Sequence, residues 1–215
     1  MVPEAPFEDT GKGVRVSGDG WFVVNARDLR WFESELGTHT IFDSELARFE
    51  QVGLNIGILR PGEPNCMYHA EDAQEDFLVL SGECLLIVEG EARRLNAWDF
   101  AHSPPMTRHV FVGAGDGPCV VVGTGARRNG RALVYPVDET ALAHGAGVEE
   151  ETSEPKRAIA HCHVAAQRFR AREQASGCAH AWAAQGQLSV ALEHLDSQAR
   201  EHRTHAFVPG DEGFR

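Results

Sequence analysis

The chain has 215 residues, 42% of them hydrophobic and 24% charged, with a formal charge of −12. That length suits one domain with extensions, or one domain and a small second one. The acidic balance argues against nucleic acid as a partner, because phosphate binding needs clustered Lys and Arg, and the only two lysines, Lys12 and Lys156, make no polybasic membrane patch.

The first nine residues, Met-Val-Pro-Glu-Ala-Pro-Phe-Glu-Asp, lack the basic start and apolar core of a signal peptide. No apolar run approaches the roughly 18 residues that span a bilayer. A cytoplasmic location and no membrane partner are expected. The five cysteines form no C-x-x-C pair, and they read as reduced, mostly buried thiols.

Residues 1 to about 20 are rich in Gly, Pro and acid and read as a loosely held arm. Gly20–Asn25 reads as a strand, and Trp31-Phe32 as cover for one edge of a core. The run from Phe49 to Leu59 alternates as a half-buried strand does, and Arg60-Pro-Gly-Glu-Pro64 ends it with turn residues.

Short strands separated by punctuation follow: Phe77–Leu80, Cys84–Glu89, Ala92–Leu95, Trp98–His102, His109–Val112 and Cys119–Val122. Many short strands with Gly and Pro turns imply an antiparallel sandwich or barrel. Ala132–Tyr135 reads as one more strand, and Asp138 as the cap of a short helix through His144. After an acidic run at 149–154 the chain turns rich in Ala, Gln, Arg and His, with helical patterning over 158–174 and 187–202. It holds too few large apolar residues for a core of its own. Its pairs His161/His163 and His202/His205 could also hold metal, but with eleven histidines in the chain they read as chance neighbours.

One constellation carries chemistry. His69 and Glu71 share a side if they lie on one strand, Glu75 joins them after an irregularity, and His109 arrives from a neighbouring strand. Two imidazoles and up to two carboxylates suit Fe(II), Mn(II), Zn(II) or Ni(II), and a two-His, one-carboxylate face is associated with non-haem iron. Glu71 reads as a ligand, as a general base beside the metal, or as a solvent-facing residue next to Asp72. His102 points inward if Phe100 does. It then reads as a substrate contact, a residue orienting a ligand, a replacement ligand or plain cavity lining. Tyr68 and Met67 read as packing.

The spacing His69-x-Glu71-x3-Glu75-x6-Gly82 resembles the first motif of the cupin superfamily, G-x5-H-x-H-x3–4-E-x6-G. Trp98-Asp99-x4-Pro104-x-Met106-x2-His109-x3-Gly113 resembles the second, G-D-x4-P-x-G-x2-H-x3-N. Glu71 stands where the first motif has its second histidine; Trp98, Met106 and Gly113 replace two glycines and an asparagine of the second. The resemblance covers roughly residues 46 to 125.

It implies an all-β fold, a double-stranded β-helix (jelly-roll) barrel; the N-terminal arm and a helical or partly disordered C-terminal extension, read from composition, fall outside the resemblance. The expected division is arm and edge strand 1–45, barrel 46–127, a strand and short helix packed on it 128–152, and the extension 153–215. It further implies one divalent metal on His69, Glu71, Glu75 and His109, with Glu71 and His102 as candidates for moving protons, a small-molecule ligand and a homodimer. The expected activity is that of a dioxygenase, or of a Lewis-acid isomerase or lyase, on a small oxygen-rich molecule. A cupin that senses or stores a ligand without turnover is the alternative. A barrel serving as a dimerisation scaffold for the tail is a third, weaker reading.

Overall fold

A computed structural model describes residues 1–34, 36–127 and 132–158. The expected helices of the extension and its histidine pairs lie outside the described residues.

The chain forms β1 (Phe7–Asp9), β2 (Val14–Val16), β3 (Trp31–Ser34), β4 (Gly37–Ile41), β5 (Val52–Leu59), β6 (Ala70–Glu71) and β7 (Glu75–Ser81). β8 (Glu83–Val88), β9 (Glu91–Asn96), β10 (Phe100–Ser103), β11 (His109–Ala114), β12 (Cys119–Ala126), β13 (Leu133–Val134) and α1 (Glu139–Ala143) follow. Two sheets make the barrel. One has the order β10-β7-β12-β5-β4-β3 and the other β11-β8-β9, with all pairings antiparallel. This is the jelly-roll expected from the sequence.

Alternation decides what each sheet turns inward. Leu59, Phe77, Val79, Cys119 and Val121 of the large sheet meet Cys84, Leu86 and Phe111 of the small one in a single apolar cluster. Cys84 and Cys119 are fully buried and free. The hydrogen bond with Cys84, and then burial, push the Cys119 thiol far up, so it stays protonated. The outer face of the small sheet is also covered. Ile87, Val110 and Val112 pack against Tyr68, Ala141 of α1 and Ala146. Asp138 caps that helix as expected, its carboxylate accepting from the Ala141 N–H at 2.8 Å.

Three expectations are revised. The arm is a hairpin of β1 and β2 whose Phe7 packs with Ala5, Val16, Phe22 and Ala47 in a small core. Gly20–Asn25 makes only a bridge between Trp21 and Glu4, because Phe22 is drawn onto Phe7 (ring centroids 5.4 Å) rather than into a ladder. The expected boundary at 152–153 cuts a packed cluster, since Ala158 is buried with Met67, Tyr135 and Val148.

The second-motif departures have a backbone consequence. Trp98 (φ 75°) and Met106 (φ 68°) adopt the left-handed conformation that glycine favours, at a cost of order 1 kcal/mol each. Gly113 shows the reverse. A Cβ there would overlap the Arg60 carbonyl, which lies against it because Gly62 N–H donates to the Gly113 carbonyl (2.8 Å) and Gly113 N–H to that of Glu63 (2.9 Å).

Gly113→Ala is therefore expected to destabilise the barrel by about 2 kcal/mol or more, through overpacking against backbone. Gly117→Ala, where a Cβ meets nothing within 4 Å, should stay within about 0.5 kcal/mol of the parent. Denaturant melts of the two variants check this; equal loss in both would contradict it.

Candidate metal centre

The site begins with a backbone pair. His69 and His109 form an isolated antiparallel bridge in which His69 N–H donates to the His109 carbonyl (3.2 Å) and His109 N–H to the His69 carbonyl (2.8 Å). Residues paired in this way stand about 5.5 Å apart at Cα with side chains on one face. Their rings accordingly lie side by side, with centroids 4.9 Å apart. Glu75 opens β7 in the opposite sheet and reaches across. Its Oε2 is 3.7 Å from His69 Nε2 and 3.4 Å from His109 Nε2. One donor atom from each of the three residues lies within 4.8 Å of the others. Phe77 floors the site, 5.3 Å from the His109 ring and 4.5 Å from that of Phe111.

The hydrogen bonds set the tautomers. His69 Nδ1 lies 2.9 Å from the Met67 carbonyl, and His109 Nδ1 lies 3.0 Å from that of Thr107. A carbonyl can only accept, so each Nδ1 carries a proton and donates it. In the neutral ring this leaves the Nε2 lone pair directed at Glu75. Imidazoles oriented in this way are what a metal site uses. Donors held 2.0–2.2 Å from one ion stand roughly 3–3.4 Å apart, near the separations found here. The residues fit a divalent metal.

Without metal, the buried pair does not hold two extra protons. Burial, then the charge of His69, hold His109 below the ordinary imidazole range. Burial also pushes His69 down, but the Cys66 sulfur and the Glu75 carboxylate outweigh it and draw His69 up to about 10.

Of the four expected ligands, three come together and one does not. Glu71 is 2% exposed, yet its carboxylate falls outside the group of His69, Glu75 and His109. The alternation argument fails because the segment changes partner. His69 bridges β11, whereas Ala70 and Glu71 pair with β13. His102 does share a face with Phe100, but it is the outer face. Phe100 is 63% exposed, and the inner positions of β10 are Ala101 and Ser103, opposite Phe77 and Glu75. The half-exposed His102 ring pairs instead with Asp76 at 2.6 Å. Burial raises the Asp76 carboxyl, but the bonds from His102 and Gln74 prevail and hold it below its usual value. Tyr68 and Met67 are buried as packing, the Tyr68 hydroxyl accepting from Gly90 N–H at 3.0 Å.

The sequence reading missed the opposite wall. On β5 and β12 the inward positions nearest the site are Gly53, Asn55 and Gly57, and Gly123 and Gly125. A Cβ on Gly57 would meet only the Val121 carbonyl, at 3.9 Å, whereas one on Gly125 would touch the Glu75 side chain at 3.6 Å. Glycine recurring on one face, at 53 and 57 and at 123 and 125, was the available signal.

Residues 55–124 match the family model described as Cupin domain. Among solved structures it is similar to a putative sugar phosphate isomerase from Acidithiobacillus ferrooxidans ATCC 23270, with 24% identity over 39% of this chain and 55% of that one, TM-score 0.37. A sugar phosphate isomerase of the cupin superfamily from Silicibacter pomeroyi DSS-3 matches at 23% identity over 42% and 64% of the two chains, TM-score 0.39. The polyketide cyclase RemF from Streptomyces resistomycificus matches at 15% over 57% and 92%, TM-score 0.47. The chain thus spans 55% and 64% of the two isomerase structures. No curated protein matches it.

Metal binding requires neutral imidazoles, and His69 in the metal-free protein is protonated at neutral pH. Loading with Zn(II) at pH 7 should therefore release about one proton per ion, and apparent affinity should climb with pH until His69 has lost its proton near 10. Calorimetry in buffers of different ionisation enthalpy measures that release, and a value of zero would contradict the assignment.

Proposed function

We propose that this is a metal-dependent cupin enzyme acting on a small, oxygen-rich molecule between the two sheets, with His69, Glu75 and His109 holding the ion. The observation that carries the reading is the pair of histidines whose Nδ1 protons are spent on carbonyls while both Nε2 atoms face one carboxylate. Two imidazoles and one carboxylate leave a divalent ion with net positive charge and open positions, the set associated with non-haem Fe(II) oxygenases. We favour a dioxygenase on that ground. The bound ion would polarise a substrate oxygen or support oxidation by dioxygen.

The chain's own groups have separable parts in this reading. Glu75 supplies negative charge beside the two imidazoles, which favours a bound cation. Phe77 and Phe111 keep water from the underside of the site. A second reading, a Lewis-acid isomerase or lyase, is favoured by Glu71, a buried carboxylate beyond the ligand group that is suited to carry a proton. His102 has no part in either reading, being on the outer face.

Metal analysis of tag-free protein is the first test. His69→Ala, His109→Ala and Glu75→Ala should each lower bound metal at least tenfold, whereas Glu71→Gln should keep it. Retention of metal in the histidine variants would sink the proposal. Oxygen-electrode measurements with Fe(II)-loaded protein and a panel of small hydroxy acids, oxo acids and diols then separate the two chemistries. Turnover with Zn(II) or Mn(II) and no oxygen uptake would favour the isomerase or lyase reading, with Glu71→Gln slowing it about 100-fold or more.

A further inference from the structure

Arg127 follows β12 by one residue, and alternation turns it to the same inner side as Gly123 and Gly125. Its guanidinium lies over Gly53, where a Cβ would come within 3.4 Å of Nη2 and 3.5 Å of Nε. Gly53 pairs directly with Gly125, the glycine that faces the Glu75 side chain. The guanidinium and the ligand carboxylate therefore lie against two glycines paired across neighbouring strands. Asn55 stands beside them on the same face, its amide over Gly123.

A guanidinium only a quarter exposed at the end of an inner strand face needs a reason. Nη2 donates to Asp43 Oδ2 at 2.6 Å, and that oxygen also accepts from Phe49 N–H at 3.2 Å, so the buried carboxylate is itself held in place. Asp43 thereby fixes the plane of the guanidinium. Nε, however, is buried and has no hydrogen-bond partner. A buried donor without an acceptor costs about 1–3 kcal/mol, and here it belongs to the side chain whose planar fork best matches an oxyanion.

We infer that Arg127, oriented by Asp43, forms an oxyanion subsite beside the metal centre, so that the substrate is a small molecule carrying a carboxylate or phosphate next to its metal-facing oxygen. The inference rests on the proposed function for its catalytic meaning, but the anion contact itself needs no metal. Asp43, which accepts from Nη2, competes with any anion for the same guanidinium.

The test is calorimetric titration of full-length protein, both Zn(II)-loaded and metal-free, with succinate, 2-phosphoglycolate and uncharged succinamide. One or both acids should bind the parent and the amide should not; the stronger acid tells carboxylate from phosphate. Arg127→Gln should weaken acid binding at least tenfold with metal content unchanged, and Arg127→Lys should fall between. Asp43→Asn, which removes a competing anion, should tighten binding several-fold, an outcome that a merely structural ion pair would not give. No acid binding to the parent, parent-like affinity in Arg127→Gln, equal binding of the amide, or a loss in Asp43→Asn as large as in Arg127→Gln each overturns the inference. Arg127-dependent binding to protein that takes up no metal would uphold the subsite while refuting the metal enzyme.

Discussion

The reciprocal backbone bond between His69 and His109 is the constraint on which the site depends. It brings together two residues forty positions apart, and it does so through main-chain groups that any residue carries. The side chains then have no freedom to separate, because a hydrogen-bonded antiparallel pair presents both to one face. Each Nδ1 is tied to the carbonyl two residues before it, in Met67 and in Thr107. Backbone geometry thus sets ring position and tautomer together.

Glu75 comes from the other sheet, so the centre exists only while the two sheets face each other. That register is set by the apolar layer beneath it, in which Phe77 lies under Glu75 on one strand and Phe111 lies beyond His109 on another. The covering of the small sheet by Tyr68, Ala141 and Ala146 serves the same end from outside. The residues that bear the chemistry rest on apolar packing on both sides of a three-stranded sheet.

Both walls of the cleft differ in kind. One carries the imidazoles of His69 and His109; the other bears Gly53, Gly57, Gly123 and Gly125, with Asn55, Glu75, Phe77 and Arg127 among the side chains beside them. Glycine on that wall lets the Arg127, Asn55 and Glu75 side chains lie close over the backbone. Outside the barrel, His102 and Asp76 form their pair on the far face of the same strands. A one-residue step along a strand separates the two settings.

Strand alternation with Gly and Pro punctuation determined, from the sequence alone, an antiparallel sandwich or barrel, most of its strands and the Asp138 helix cap; the family resemblance of the motif spacing implied the jelly-roll and a ligand set of His69, Glu71, Glu75 and His109. The first follow from local periodicity, the second from which side chains can ligate. Tertiary structure decided what periodicity leaves open, namely which face is inner. Phe100 and His102 alternate as expected, but their strand lies at a sheet edge with its other face inward. Glu71 parts from His69 because the chain changes pairing partner between them. Arg127 gains its place over Gly53 from a strand sixty or more residues upstream, a juxtaposition that no local pattern encodes.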